Sequence, residues 1–160
     1  MNGSGGGQAR IVVGVDGSAG SKEALRFAAR QARFIGAEVD AVIAWQYPAF
    51  YGWAPPYPDD FDLPQLAEQA LTEALDDVFG PDRPAWLHAR VVEGHAAQVL
   101  VEAAAGADLL VVGSRGYGAL ADMLLGSVST YCVHHAHCAV TVIRSAGRAA
   151  HASVAGPGAF

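Results

Sequence analysis

Lysine and long apolar segments are almost absent from this sequence. Lys22 is the only lysine, and 16 acidic residues against 10 basic ones leave a formal net charge of −6. That charge opposes a phosphate backbone, so the composition predicts no nucleic-acid partner. No apolar run approaches the roughly 20 residues that span a bilayer, so the sequence predicts no membrane partner either.

Cysteine is scarce too, because Cys132 and Cys138 are the only two in a chain whose 160 residues are 52% hydrophobic. A chain of that size and hydrophobicity builds a core without disulfides, and its composition excludes global disorder. Its first residues carry neither the basic nor the apolar segment of a secretory signal peptide. We therefore expect a cytoplasmic protein with free thiols.

Regular patterns are confined to residues 9–145, for which we predict one folded domain. Aperiodic glycine, alanine and serine mark residues 1–8 as a flexible leader and residues 146–160 as a flexible tail. Within the domain, the apolar runs predict five strands, at 10–15, 38–45, 86–92, 108–112 and 139–143. Four helices are predicted between them, the first capped by Ser18 or Ser21 and closed by Gly36, the others at 64–79, 95–105 and 127–137.

Alternating strands and helices are typical of a parallel sheet with helices on both faces. Right-handed crossovers then predict a doubly wound α/β fold of five strands in the order 3-2-1-4-5. Ligands of such sheets bind beyond the carboxyl ends of the strands, where the winding reverses. Here that point lies between the first and fourth strands, which end near Asp16 and Gly113. Asp16 has an ordinary alternative role as the N-cap of the first helix.

A glycine loop, residues 113–126, follows the fourth strand and contains Gly113, Gly116 and Gly126 in the spacing Gly-x2-Gly-x9-Gly-Ser. Glycines allow backbone N–H groups to approach a ligand closely, and the N-terminus of the following helix favours an anion. Ser127 and Ser129 add hydroxyl groups. Arg115 is placed to cover the outer charge of a di- or triphosphate, with an ordinary solvated loop residue as the alternative. The loop therefore predicts phosphate binding, with ordinary turns as the alternative.

Two other phosphate motifs fit poorly. Residues 116–121 match a G-x-G-x-x-A dinucleotide fingerprint, but the next predicted helix begins only at Ser127, and His137, Cys138 and Ala139 stand where an acidic residue is required. A Walker A element needs Gly-Lys-Ser/Thr, whereas Lys22 follows Ser21. We therefore interpret the first match as a coincidence and the second motif as absent.

With this glycine spacing, and with residues 11–18, 108–116 and 138–144, the sequence resembles the universal stress protein (UspA-like) family over residues 9–145. The resemblance implies an ATP-binding domain, with Asp16 near the ribose or adenine. If Mg²⁺ accompanies ATP, the hydroxyl group of Ser127 or Ser129 is suited to position it. It also implies a homodimer formed through the last strand, with Val140 and Val142 at the interface. The nucleotide-binding residues that it implies are Val15, Asp16, Ala44, Trp45, Val112, Gly113, Arg115, Gly116, Gly126, Ser127, Val128 and Ser129.

Two further clusters carry weaker hypotheses. The aromatic- and proline-rich loop at residues 45–61 is long for a compact domain, which suits a lid, a partner surface or a loop packed on its own domain. A second cluster holds two cysteines and three histidines, but helical spacing lets no more than two or three of them converge. We therefore expect no metal site there; its members are Cys132, His134, His135, His137 and Cys138.

Taken together, these features predict an ATP-binding regulatory or stress-response module in which bound nucleotide sets a conformation or an interaction. Any ATP hydrolysis is expected to be slow, because no general base is evident for the γ-phosphate. One alternative is an adenylating enzyme of the adenine nucleotide α-hydrolase type, for which Asp16-Gly17-Ser18 is too short a match. Another is a dimeric interaction module without nucleotide, which the complete glycine spacing disfavours.

Overall fold

A computed structural model describes residues 7–48, 58, 60–116 and 125–145 of the chain. Most of the predicted leader, the aromatic loop at 49–57 and 59, the middle of the glycine loop at 117–124 and the tail at 146–160 lie outside the described residues. The predictions made for those segments therefore stay predictions.

Five strands and four helices alternate along the described chain. They are β1 (Arg10–Gly14), α1 (Ala19–Ile35), β2 (Glu38–Trp45), α2 (Leu63–Phe79), β3 (Leu87–Glu93), α3 (Ala96–Ala103), β4 (Leu109–Gly113), α4 (Ser127–His135) and β5 (Ala139–Ile143). All four strand pairings are parallel, and the sheet order is β3-β2-β1-β4-β5. The predicted doubly wound order 3-2-1-4-5 is confirmed.

Helix ends differ from the predicted ones by one or two residues, for local reasons. α4 stops at His135 rather than at residue 137, because Ala136 is extended (ψ 143°) while its N–H still donates to Cys132 O. α3 begins after His95 rather than at it, and Ala104 rather than Gly106 is its C-cap. Gly36 closes α1 in the left-handed conformation, at φ 67°, as predicted.

The N-cap of α1 is Ser18, whose hydroxyl accepts a hydrogen bond from Ser21 N at 3.2 Å. Asp16 is therefore not the N-cap of α1, which was the alternative role for this residue. Its Oδ1 accepts from Ser18 N at 2.9 Å in the turn that leads from β1 to the helix, and its side chain stays exposed. The carboxylate is thus held at the carboxyl end of β1 without closing the helix.

The sheet separates two apolar layers, because successive residues of a strand face opposite sides. Ile11, Val13 and Val111 pack toward α1 and α2, whereas Val12, Leu110 and Val112 pack toward α3 and α4. The central residues of β1 and β4 are fully buried, as expected of strands with helices on both faces. None of the helices in the described ranges is both long and apolar enough to cross a membrane.

Arg10 fixes the position of α3 from the opposite end of the sheet. Its Nη1 donates to Asp40 Oδ2 at 3.0 Å and to Ala103 O at 3.1 Å, and its Nη2 donates to Ala105 O at 2.7 Å. Carbonyl groups at the end of a helix have no partner within the helix, so the guanidinium satisfies two of them in this region. The position of α3 matters because its first turns form one wall of the candidate site.

Candidate functional site

A cavity of about 360 Å³ opens beyond the carboxyl ends of β1 and β4. Its walls are the ends of these strands, the carboxyl half of β2, and the first turns of α1, α3 and α4. This is the point where the winding of the sheet reverses, which is where a doubly wound fold binds its ligand. The volume falls within the range of about 300–1,000 Å³ that is usual for small-molecule sites.

The structure brings together all but one of the residues singled out from the sequence. Trp45 is the exception: its ring packs on the apolar layer beneath α1 and α2, edge-to-face with Tyr47 at 5.6 Å between centroids. Because Ala44 faces the cavity, its neighbour Trp45 faces the other side of the strand. The residues that do line the cavity are Val15, Asp16, Ala44, Val112, Gly113, Arg115, Gly116, Gly126, Ser127, Val128 and Ser129.

Six further residues line the cavity but were not predicted from the sequence. Val42 lies two residues before Ala44 in β2, so the strand period places it on the cavity wall once Ala44 is known to face the cavity. Ala96 and Leu100 form one face of α3, and nothing in their sequence shows that this face meets the end of β1. The six are Gly14, Ser18, Ser21, Val42, Ala96 and Leu100.

Close backbone approach explains the glycine at the end of β4. A Cβ on Gly113 would lie 3.0 Å from Gly20 C and 3.1 Å from Gly20 O, in the first turn of α1. Those are main-chain atoms, which cannot turn aside as a side chain does. Glycine at this position therefore lets the first helix reach the floor of the cavity.

The loop after β1 and the glycine loop touch at Asp16 and Gly116. A Cβ on Gly116 would lie 2.5 Å from Asp16 Oδ2, so any other residue there would displace the carboxylate. The remaining oxygen of Asp16 is already held by Ser18 N. Because Gly116 has no side chain, the Asp16 carboxylate can keep its position on the cavity wall.

α4 begins at the cavity without a side-chain cap, because its N-cap is Gly126. α1 begins at the same cavity, but there the Ser18 hydroxyl accepts the N–H of Ser21. The first N–H groups of a helix have no partner within the helix, and they carry the positive end of its dipole. Of these two helices, α4 is the one whose N-terminus is left to hold an anion.

Ser129 differs from the hydroxyl donor that the sequence predicted. Its side chain is buried, and its hydroxyl lies 3.1 Å from Ser114 O and 3.0 Å from Gly126 O, to which it donates. A hydroxyl has one hydrogen, so this donor is used inside the protein, where it ties α4 to the glycine loop. Ser127 is exposed at the start of the same helix and is the hydroxyl nearer to solvent.

The charged side chains on the described cavity wall are Asp16 and Arg115, one of each sign. The remaining described lining residues are apolar, glycine or serine. An anion in this cavity would therefore meet Arg115 and the N-termini of α3 and α4, neither of which has a side-chain cap.

The cysteines and histidines around α4 are spread over the helix and the residues that follow it. Both thiols are free; burial raises the pKa of Cys132 to about 11 and also raises the pKa of Cys138. Such thiols are protonated at neutral pH, which makes them poor nucleophiles and poor metal ligands. The His135 ring stacks on Tyr131 at 3.9 Å, and within the described residues no three metal-ligating side chains come together.

These features define an α/β domain of the doubly wound class with a ligand-sized cavity at its switch point. Residues 9–144 match the model of the Universal stress protein family, and the chain belongs to this family. A universal stress protein from Mycolicibacterium smegmatis is 36% identical over 152 residues, which cover 89% of this chain and 50% of that protein. The chain spans about half the length of the curated relatives that it matches.

Solved structures show the same fold. A universal stress protein in complex with cAMP is 27% identical, with a TM-score of 0.63 over 84% of this chain and 96% of that one. The universal stress protein from Archaeoglobus fulgidus in complex with dAMP is 22% identical, with a TM-score of 0.60 over 84% and 97% of the two chains.

Proposed function

We propose that the cavity binds an adenine nucleotide, with ATP as the expected ligand, and that the chain acts as a nucleotide-dependent regulatory module. The observation that carries the proposal is one continuous space of about 360 Å³ that joins an apolar end to the uncapped N-terminus of α4. The apolar end suits an aromatic base, and the uncapped N-terminus of α4 suits a phosphate group. Two proteins of the same fold support it, since they were solved with cAMP and dAMP.

The lining residues fit such a ligand in three zones. Val42, Ala44 and Leu100 offer apolar surface for the base, and Asp16, beside Val15, offers a carboxylate to the hydroxyl groups of the ribose. The phosphate end consists of backbone and hydroxyl groups around the glycine loop and the start of α4. We propose that its members are Val112, Gly113, Arg115, Gly116, Gly126, Ser127, Val128 and Ser129.

Mg²⁺ fits this site as a companion of the nucleotide and not as a resident ion. Protein-bound Mg²⁺ usually keeps several waters and is held by substrate phosphates together with one or two protein oxygens. At the phosphate end of the described wall, Ser127 offers such an oxygen, whereas the Ser129 hydroxyl is turned inward. When bound, the ion would supply positive charge to the phosphates.

The proposal assigns no catalytic role to the cavity. A general base must lie within hydrogen-bond reach of the proton that it removes. The carboxylate on the described wall is Asp16, which the proposal puts at the adenosine end and which Ser18 N already engages. Hydrolysis of ATP is therefore expected to be slow or to depend on a partner.

Calorimetric titration of the purified chain tests the proposal. We expect AMP and Mg·ATP to bind with dissociation constants below about 100 µM, corresponding to more than about 5 kcal/mol. Ribose 5-phosphate is the matched control: it lacks the base and is expected to bind at least about tenfold more weakly than AMP. No binding heat from any adenine nucleotide at millimolar concentration contradicts the proposal.

The two edges of the sheet support a homodimer formed through β5. β3 exposes Arg90 and Glu93, and charged side chains on an edge strand oppose pairing with another chain. β5 carries no charged residue, and its Val140 and Val142 remain partly exposed. We therefore propose that β5 is the edge that meets a second copy, and we retain the cytoplasm as the expected compartment.

Sedimentation velocity checks the pairing. We expect a dimer at micromolar concentration, and a Val142→Lys variant is expected to sediment as a monomer because it places a charge on the edge strand. Val91→Lys, which adds the same charge to the exposed edge strand β3, is the control and is expected to remain a dimer. A monomeric native chain, or a variant at Val142 that stays dimeric, contradicts the pairing.

A further inference from the structure

The second half of α1 carries an exposed apolar surface at its end. Phe34 is 85% exposed and Ile35 is 55% exposed. Phe27 lies about two turns before Phe34 on the same face of the helix and is partly buried. Single exposed apolar residues are common on soluble proteins, but a group of them beside charged residues can mark an interaction site. We call Phe27, Arg30, Arg33, Phe34 and Ile35 the α1 patch.

Positive charge is concentrated on the same helix. α1 holds four basic residues and one acidic residue, a formal charge of +3, in a chain whose net charge is −6. The neighbouring helix α2 also has 17 residues, but it holds four acidic residues and no basic one. A partner can recognise such a local excess of one charge by electrostatic complementarity. The basic residues of α1 are Lys22, Arg26, Arg30 and Arg33.

Ion pairs within the chain neutralise the first half of this helix. Lys22 Nζ lies 2.5 Å from Asp77 Oδ2, and Arg26 Nη1 lies 2.5 Å from Glu23 Oε1. Each of these two positive charges therefore already has a carboxylate beside it. The positive charge that is left for a partner lies in the second half of the helix.

Arg30 and Arg33 keep their charge available. Both are exposed, and no carboxylate of the described residues forms an ion pair with either of them. Arg30 Cζ lies 5.9 Å from the centre of the Phe27 ring, so a cation–π contact holds the guanidinium beside the apolar part of the patch. Arg33 stands in the last turn, where a positive charge also stabilises the helix dipole. That role does not explain why Phe34 and Ile35 are exposed.

Two guanidinium groups beside an aromatic and an aliphatic side chain fit an acidic protein segment. Guanidinium groups bind carboxylates through two parallel hydrogen bonds, and arginine and phenylalanine are both enriched in protein interfaces. An anionic membrane is disfavoured, because each basic residue near its surface contributes only about 1 kcal/mol and the chain as a whole is acidic. Nucleic acid is disfavoured too, since its binding takes several phosphate contacts. A short acidic segment meets mainly the local charges, because charges more than about 8 Å away are screened.

We propose that the α1 patch is a docking surface for an acidic segment of a partner protein. Carboxylates of the segment pair with Arg30 and Arg33, and an apolar side chain between them packs on Phe34 and Ile35. Ser21 lines the cavity, whereas Phe34 lies about 20 Å further along the helix axis. The partner and a ligand of the cavity can therefore bind at the same time, and the inference does not depend on the proposed nucleotide.

Nuclear magnetic resonance titration of the nitrogen-15-labelled chain with the blocked hexapeptide Asp-Asp-Leu-Phe-Asp-Asp tests the docking surface. We expect a dissociation constant below about 1 mM at low salt, with amide shift changes concentrated in residues 27–36. The control peptide Asn-Asn-Leu-Phe-Asn-Asn has a similar shape without the charges and is expected to bind at least about tenfold more weakly. Shift changes centred elsewhere, or none at millimolar acidic peptide, overturn the inference.

Variants of the patch separate its charge from its apolar surface. Arg30→Gln and Phe34→Ala are each expected to weaken binding of the acidic peptide at least about fivefold. Arg30→Lys is expected to weaken it about threefold, because lysine keeps the charge but not the planar fork of donors. Both positions are exposed, so Tm should stay within about 2 °C of the native value.

Arg144→Gln is the matched control, because it removes the same charge from another exposed position outside the patch. Its affinity for the acidic peptide is expected to lie within about 1.5-fold of the native value. A loss in Arg144→Gln as large as that in Arg30→Gln overturns the inference, since binding would then follow net charge and not the patch.

Two further measurements test the other occupants. Vesicles with about one-third phosphatidylserine are expected to bind no more of the native chain than neutral vesicles do. Binding to the anionic vesicles that Phe34→Ala abolishes would assign the patch to a membrane surface and overturn the inference. In sedimentation velocity, Phe34→Ala is expected to match the native chain; a smaller species would assign the patch to a second copy and overturn the inference as well.

Discussion

The Gly126→Asp variant is expected to lose AMP binding and at the same time to unfold at a higher temperature than the native chain. Gly126 has φ −74° and ψ 170°, which any residue adopts, and a Cβ there would lie 3.5 Å from Ser114 O, an ordinary contact. Aspartate is among the best N-cap residues, and its charge also suits the helix dipole. We expect about 0.5–1 kcal/mol of added stability, or about 1–3 °C in Tm.

The same carboxylate would occupy the N–H groups of α4 that the proposed function gives to a phosphate. Like charges brought together at a binding site disfavour association by several kcal/mol, so AMP affinity is expected to fall at least about 100-fold. Adenosine, which has no phosphate, should bind within about threefold of its affinity for the native chain. Calorimetric titration with both ligands, together with scanning calorimetry, measures the two opposite effects.

Gly126→Asn is the matched control, because asparagine caps the helix as well as aspartate does but carries no charge. In this variant the N–H groups of α4 are occupied by the capping side chain, but no negative charge repels the phosphate. We therefore expect an intermediate loss of AMP affinity, about tenfold. If Gly126→Asp retains full AMP affinity, the phosphate does not lie at the start of α4.

Filling the apolar end of the cavity is expected to abolish binding of both adenosine and AMP. Ala44 is half-buried on the cavity wall, next to a space of about 360 Å³ that can accept a larger side chain. Ala44→Phe therefore places an aromatic ring where the base is proposed to lie, and at least about 50-fold weaker binding of both ligands is expected. The stability change should stay below about 1 kcal/mol, because phenylalanine suits a strand and fills empty space.

Trp45→Phe offers the matched control one residue along β2. Its ring lies on the other face of the sheet, against the layer beneath α1 and α2. We expect adenosine and AMP affinities within about twofold of the native values and a modest loss of stability, measured by urea unfolding. Retained adenosine binding in Ala44→Phe, or a large loss in Trp45→Phe, contradicts the proposed position of the base.

The two variants separate the two ends of the ligand. Gly126→Asp is expected to discriminate between AMP and adenosine, whereas Ala44→Phe is expected to weaken both equally. A nucleotide bound in the opposite direction, with its base at α4, reverses this pattern.

Local sequence patterns were sufficient for the strand order and for the spacing of the glycine loop. Valine-rich runs, a serine cap and glycine at helix ends act over a few residues, so each can be read without knowing the rest of the fold. Once the strands are ordered, the right-handed crossover rule brings Asp16 and Gly113 to one edge. Most of the cavity wall follows from these two steps.

Side-chain direction and long-range packing were decided only by the tertiary structure. The order of the strands does not say which face of β2 meets the cavity, and therefore Ala44 and Trp45 were indistinguishable in the sequence. The inward turn of the Ser129 hydroxyl depends on Ser114, 15 residues away, and the contact of Asp16 with Gly116 joins two separate loops. Such contacts require segments that are far apart in the chain to be placed relative to one another to within a few tenths of an ångström. No local pattern encodes that placement.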